Sequence, residues 1–296
     1  MTSVIFLGTA GAAPTKERGL PSVAIERNGK VYLFDCGEGT QRQLMAFSVN
    51  ISRIAAVFLS HAHGDHVIGI AGLIRTLALN RRTDPLTIYV PKGEEKKIHP
   101  LIGFDEAILS YKIEVRGIGS GIVYKGDGIE IRAFALRHSV KALGYIFDEP
   151  ARLHFDKERC KRLGIKGEMF AQLEKSGHIA VNGKRISIGS ITTKGKGRRI
   201  VYAADTRPQQ NTVTAAKGAD ILIHEATYSN ALVALAKERM HSTAKEAAEI
   251  AKKAKVNKLV IFHTSARYRD TAPLLKEARS VFRNADVAHD GMRMTL

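Results

Sequence analysis

Long apolar runs are missing from the 296 residues, and no stretch of about 18 uncharged apolar residues occurs, which excludes a membrane-spanning helix. Cysteine is scarce. The two present, Cys36 and Cys160, are too few for a disulfide framework or a cysteine-rich zinc site. The stretch from Met1 to Leu7 lacks the charged-then-apolar pattern of a secretory signal and reads as a strand. A cytoplasmic location with no membrane partner is therefore expected. Repeats at solenoid spacing are also absent. Acidic residues are in short supply: 29 Asp and Glu against 46 Lys and Arg leave a net charge of +17 and a pI near 9.9. A field of that sign attracts polyanions, nucleic acid first among them. Between Arg152 and Arg199 stand 13 basic and 4 acidic residues, so +9 of the excess falls in 48 residues. A small acidic metabolite would not need so broad a basic surface.

The rest of the composition, 44% hydrophobic and 25% charged, is that of a globular chain with room for a sizeable core. Short apolar strands are predicted at Val4–Leu7, Val23–Ile25, Val31–Phe34, Ala55–Leu59, Leu86–Val90, Ile129–Leu136, Ile200–Ala203, Ile221–Ile223 and Lys258–Phe262. Asn28-Gly29 marks a hairpin between two of them. Helical spacing follows His66, through Val67, Ile70, Ala71, Ile74, Leu77 and Ala78, and Ala244–Ala254 is rich in Ala, Glu and Lys. Residues 151–190 show no strong core strand and alternate basic residues with glycine, the pattern of an inserted, protruding arm. Strands and helices alternating in two halves predict an α/β sandwich with helices over stacked sheets.

Chemistry concentrates after the strand that ends at Leu59, in Ser60-His61-Ala62-His63-Gly64-Asp65-His66. In extended backbone, residues i and i+2 point to one side, so His61 and His63 can grip one ion. Gly64 permits a turn that swings Asp65 and His66 toward a second position. Imidazole suits zinc, and carboxylate suits zinc or a harder divalent ion. Further ligands are offered just past apolar strands: His138, Asp205 and His263.

With these later residues, the H-x-H-x-D-H loop resembles that of the metallo-β-lactamase superfamily. Within it, the chain resembles the tRNA 3′-end processing endoribonucleases, the tRNase Z family. The likeness also runs through Phe6–Thr9, Phe34–Gln43, Ala204–Thr206, His224–Thr227, His241–Ala244 and Ser265–Tyr268. It implies an αβ/βα four-layer sandwich, a single domain over 1–296 with residues 151–190 as a flexible tRNA-binding arm. Glu168, near the tip of that arm, stands where the family often has proline.

By the same resemblance, His61, His63 and His138 would hold one zinc ion, Asp65, His66 and His263 a second, and Asp205 would bridge them. Manganese is a possible substitute. Asp65 would also orient or deprotonate the attacking water. His241 would serve the leaving 3′ oxygen as acid, with Glu225 on its other nitrogen. Lys16, Arg18, Arg42 and Arg267 lie in segments that resemble substrate-contacting loops and could pair with phosphates. The implied partner is precursor tRNA, the implied products a 3′-hydroxyl on the tRNA and a 5′-phosphate on the trailer, and the implied assembly a homodimer. Two rival readings stay open on the sequence. A metallo-hydrolase of a small ester, thioester or phosphodiester needs no basic arm. A non-catalytic, metal-stabilised RNA-binding protein needs no His241–Glu225 pair.

Overall fold

Alternation along the strands builds the layers. In Thr2–Gly8, Val4 and Phe6 enter one core while Ile5 and Leu7 enter another, because successive side chains point to opposite faces of a sheet. Lys30–Phe34 and Ile54–Phe58 are likewise buried on both faces, which is why they read as continuous apolar runs. The computed structural model describes residues 1–103, 109–151 and 153–296. It joins these strands into a seven-stranded sheet, in the order Arg293–Thr295, Thr2–Gly8, Ser22–Arg27, Lys30–Phe34, Ile54–Phe58, Leu86–Pro91, Ile113–Ile118. A second seven-stranded sheet runs Ala285–Val287, Lys258–Phe262, Ile221–Glu225, Arg198–Ala203, Lys141–Glu149, Ile129–Arg137, Gly121–Gly126.

Aromatic side chains fill the space between the sheets, Phe34, Phe58, Tyr145, Tyr202 and Phe262 among them. The outer face of the first sheet packs against the helices Thr40–Ala46, Gly69–Leu79 and Glu95–Gly103. Outside the second sheet lie Gln210–Ala215, Ala244–Ala254 and Ala272–Val281. The architecture is the expected helix–sheet–sheet–helix sandwich.

Asn28 and Gly29, with φ of 49° and 74°, form the two-residue loop of the anticipated hairpin, for which both central residues must be left-handed. Ala244–Ala254 is helical over the predicted span, opened by a capping box between Thr243 and Glu246. The helix expected from His66 instead starts at Gly64, pauses at Ile68 and resumes over Gly69–Leu79. Lys141–Glu149, for which no strand is predicted, pairs antiparallel with Ile129–Arg137. Its central Gly144 leaves room for the Phe134 ring, since a Cβ there would stand 2.4 Å from that ring.

Residues Glu149–Arg198 form a second compact unit, while Met1–Asp148 and Arg199–Leu296 form the first. The second unit has its own small core of Cys160, Ile165, Leu173, Ile179, Ile186 and Ile191. It contains the helices Lys157–Arg162 and Met169–Ser176, a ladder between Leu153–Phe155 and Thr192–Lys194, and a hairpin from His178 to Ser187. Arg152, the first basic residue of that stretch, lies outside the described residues.

Candidate metal centre

Polar side chains gather where strands of the two sheets end. His61 to His66 follow Ile54–Phe58 of the first sheet, and His138, Asp205 and His263 follow Ile129–Arg137, Arg198–Ala203 and Lys258–Phe262 of the second. Glu225 is the last residue of Ile221–Glu225. Among the described residues the structure brings His61, His63, His138 and Asp205 into one group, Asp65, His66 and His263 into another, and Asp205, His241 and His263 into a third.

The ring nitrogens turned toward the centre are selected by what holds their opposite edges. His66 Nδ1 donates to Asp35 Oδ2 at 2.7 Å. The Ser60 hydroxyl donates to the same oxygen at 2.8 Å and accepts from His61 Nδ1 at 2.9 Å. Thr227 repeats the device on the other sheet, donating to Glu225 Oε2 at 2.8 Å and accepting from His263 Nδ1 at 2.9 Å. His138 Nδ1 donates to the Met240 carbonyl at 3.1 Å. Each of these imidazoles is thereby left with Nε2 facing inward and available as a lone pair, the arrangement in which histidine binds a metal. His63 faces inward through Nδ1 instead, 2.9 Å from His61 Nε2 and 3.3 Å from His138 Nε2. Two nitrogens that share one tetrahedral ion through bonds of 2.0–2.1 Å stand about 3.3 Å apart.

Asp205 divides its oxygens between the groups. Oδ2 lies 3.7 Å from both His61 Nε2 and His138 Nε2, and Oδ1 lies 3.4 Å from His66 Nε2 and 3.1 Å from His263 Nε2. Oδ1 is buried and accepts no hydrogen bond from the described residues. A buried carboxylate oxygen without a donor, ringed by imidazole lone pairs, is costly as it stands and is satisfied by a cation. Asp65 Oδ2 completes the second group at 3.5 Å from His66 Nε2 and His263 Nε2, and accepts from the Ala12 backbone N–H at 2.9 Å. These residues fit a divalent metal.

Charge on the single groups follows the same geometry. Burial pulls the His61 pKa well below the ordinary imidazole range, toward the neutral ligand form. For His66, burial acts downward but the Asp35 and Asp205 carboxylates outweigh it and raise its pKa well above the ordinary imidazole range, the negative field that a cation bound at Nε2 would answer in place of a proton. Burial would raise Asp205, yet His263 and His66 hold it well below the carboxylate range. His241 is lowered by burial and raised more strongly by Glu225, ending at about 9. Its Nδ1 donates to Glu225 Oε1 at 3.0 Å, and that oxygen also accepts the Thr206 and Ser242 backbone N–H groups.

The backbone is bent to serve the site. Asp35 and His263 adopt left-handed φ of 57° and 55°, each costing roughly 1–2 kcal/mol. Gly11 packs so closely on the His263 ring that a Cβ would fall 2.6 Å from Nδ1.

The basic residues separate. Arg267 lines the metal cavity, of ≈ 530 Å³, with Tyr228, Arg239 and His241, its guanidinium 5.0 Å from the centroid of the Tyr228 ring. Lys16, Arg18 and Arg42 line a different cavity, of ≈ 400 Å³. Arg18, expected at phosphates, is 9% exposed and turned inward, where its guanidinium donates to Thr264 Oγ1 and to the carbonyls of Thr264, Ser265 and Tyr268. With those donors engaged, it braces the Pro14–Gly19 loop. Asp35, Ser60, Thr227 and Tyr202, whose hydroxyl donates to Asp35 Oδ2 at 2.6 Å, are not singled out by sequence reasoning. They sit inside or beside apolar strands, where nothing local distinguishes them from packing residues.

Four layers and a histidine–aspartate cluster at the strand ends define the metallo-β-lactamase superfamily. Residues 18–140 match its model, and residues 156–264 match that of the beta-lactamase superfamily domain. Ribonuclease Z of Archaeoglobus fulgidus is 41% identical over 98% of this chain and 96% of its own length. That of Gemmatimonas aurantiaca is 42% identical over 99% and 95%. The crystal structure of the short form of human tRNase Z superposes with a TM-score of 0.73 at 26% identity, covering 99% of this chain and 98% of the human one. The chain belongs to the ribonuclease Z family.

Proposed function

We propose that the protein is a zinc-dependent endoribonuclease that removes the 3′ trailer from precursor tRNA, leaving a 3′-hydroxyl on the tRNA and a 5′-phosphate on the trailer. The observation that carries this reading is Asp205, whose two oxygens each face one group of inward-pointing imidazoles. That division suits two ions, with His61, His63 and His138 on one side and Asp65, His66 and His263 on the other. Five imidazoles favour zinc, and the carboxylates would accept manganese. Bound there, such ions supply Lewis acidity toward a phosphodiester and make water a competent nucleophile near neutral pH. Asp65, steadied by the Ala12 N–H, takes the proton of that water. His241, held through Nδ1 by Glu225, keeps Nε2 for protonating the leaving 3′ oxygen.

The second compact unit is proposed as the tRNA-binding arm of the single catalytic domain. Lys157, Arg159, Lys161, Arg162, Lys166, Lys175, Lys184 and Arg185 are all exposed on it. Lys16, Arg42 and Arg267 are assigned to further phosphates. A homodimer acting in the cytoplasm belongs to the same reading. A small-substrate hydrolase would leave the charge of the second unit without a use, and a non-catalytic RNA binder would leave the His241–Glu225 pair without one.

The deciding experiment incubates the zinc-loaded protein with a 3′-extended tRNA and maps both new ends. A cut with 3′-hydroxyl and 5′-phosphate ends supports the reading, and an intact substrate in the presence of two bound zinc ions per chain defeats it. Two variants probe its parts. Replacing Lys161, Arg162 and Lys166 by alanine is expected to weaken precursor binding and lower the log–log salt slope by about 0.7–0.9 for each phosphate no longer gripped. Hydrolysis of bis(p-nitrophenyl) phosphate should persist, and an unchanged salt slope would remove the clamp role. Gly11→Ala should displace the His263 ring and lower the metal content per chain, read by elemental analysis of the folded variant.

A further inference from the structure

Arg207 lies two residues past Asp205 and ties together three loops that carry site residues. Its backbone N–H donates to the Arg137 carbonyl at 2.8 Å, directly before His138. Its guanidinium reaches the other way, donating through Nη1 to the His241 carbonyl and to Glu246 Oε2, and through Nη2 to Glu246 Oε1. The pair is largely shielded, with 11% of the Arg207 and 15% of the Glu246 side chain exposed. Glu246 is itself fixed, because its carboxylate accepts the Thr243 N–H at 2.9 Å in the capping box of Ala244–Ala254. The guanidinium therefore has a bidentate anchor and still reaches the His241 backbone.

The segment around His241 needs such a grip. Met240 is in the left-handed region with φ of 60°, and its carbonyl accepts from His138 Nδ1. The His241 N–H donates to the Ala236 carbonyl at 2.8 Å, and the Ser242 hydroxyl to the Thr206 carbonyl at 2.6 Å. These bonds fix the chain before and after His241, but only the Arg207 guanidinium reaches its carbonyl among the hydrogen bonds of the described residues.

We propose that Arg207, locked by Glu246, is a positioning residue that fixes the His241 backbone so that Nε2 meets the leaving 3′ oxygen. The inference rests on His241 as the proton donor proposed above. Its signature is leaving-group selectivity. An RNA 3′ oxygen departs poorly without a proton, whereas p-nitrophenolate needs none. Arg207→Met should lower kcat on 3′-extended tRNA by about 10–100-fold, the scale on which removing an orienting partner acts, with KM and bis(p-nitrophenyl) phosphate turnover little changed. Arg207→Met strands the Glu246 carboxylate, so the double variant with Glu246→Gln, which keeps the capping box, is measured beside it. The double variant should show the same selectivity with no further loss, and it decides the matter if the single variant fails to melt cooperatively.

Equal slowing of both substrates in a folded variant, or no slowing of either, overturns the proposal. His241→Ala in the same assays separates the two levels. If it shows the selectivity and the Arg207 variants do not, only the positioning role falls. If His241→Ala slows both substrates alike, the proton-donor reading falls and takes this inference with it.

Discussion

Asp65→Ala is expected to cost on the order of 10³-fold or more in turnover of 3′-extended tRNA while the sandwich stays folded. Two losses coincide in that variant. The carboxylate faces His66 and His263 at 3.5 Å, so on the proposed assignment one metal position loses its acidic ligand and the proposed proton acceptor for water goes with it. Asp65 is 14% exposed at the mouth of the site and is hydrogen-bonded to one backbone amide, so little packing is removed. Asp65→Asn separates the two losses by keeping the shape and removing the basic oxygen. Near-parental cleavage by Asp65→Ala with full metal content would show that neither role is correct.

His241→Ala should retain both metal positions yet lose roughly 10²–10⁴-fold in rate, the range of a positioned proton donor. His241 Nδ1 is 3.8 Å from Asp205 Oδ2, and His241 forms a third potential ligand group with Asp205 and His263, but Nδ1 donates to Glu225 at 3.0 Å, which is the ground for assigning the ring to the proton instead of the metal. Glu225 would then be left with four N–H or O–H donors from Thr206, Thr227 and Ser242, which keep its buried charge satisfied. Elemental analysis of that variant is the check, and loss of an ion would move His241 into the ligand set.

Sequence reasoning works best where one local pattern suffices. His61 to His66 are consecutive in the chain, and His138, Asp205 and His263 each stand just past a run of buried apolar residues, so strand ends could be recognised one at a time. The bends that aim them could not. Asp35 and Tyr202 are 167 residues apart and meet through one hydrogen bond, and Arg207 finds Glu246 only after the sheet and the helix have packed. Lys141–Glu149 escaped because its glycine accommodates a ring from the neighbouring strand, which no periodicity reports. In the basic stretch, the six side chains of the small core are spread over about thirty residues, too thinly to register beside so many charges. Arg18 shows the opposite failure: its type and its loop suggested a surface cation, while four inward acceptors claim it.

One edge of the metal centre comes from the first sheet and the other from the second, so any bound cation pins the two halves of the sandwich to each other. Separating the sheets then requires releasing the ion, and folding becomes linked to the free metal in solution by mass action. Above saturation of a site, every tenfold rise in free cation adds about 1.4 kcal/mol against global unfolding. Metal supply thereby sets the stability of the fold as well as its activity, and a chelator should lower the melting temperature of the loaded protein.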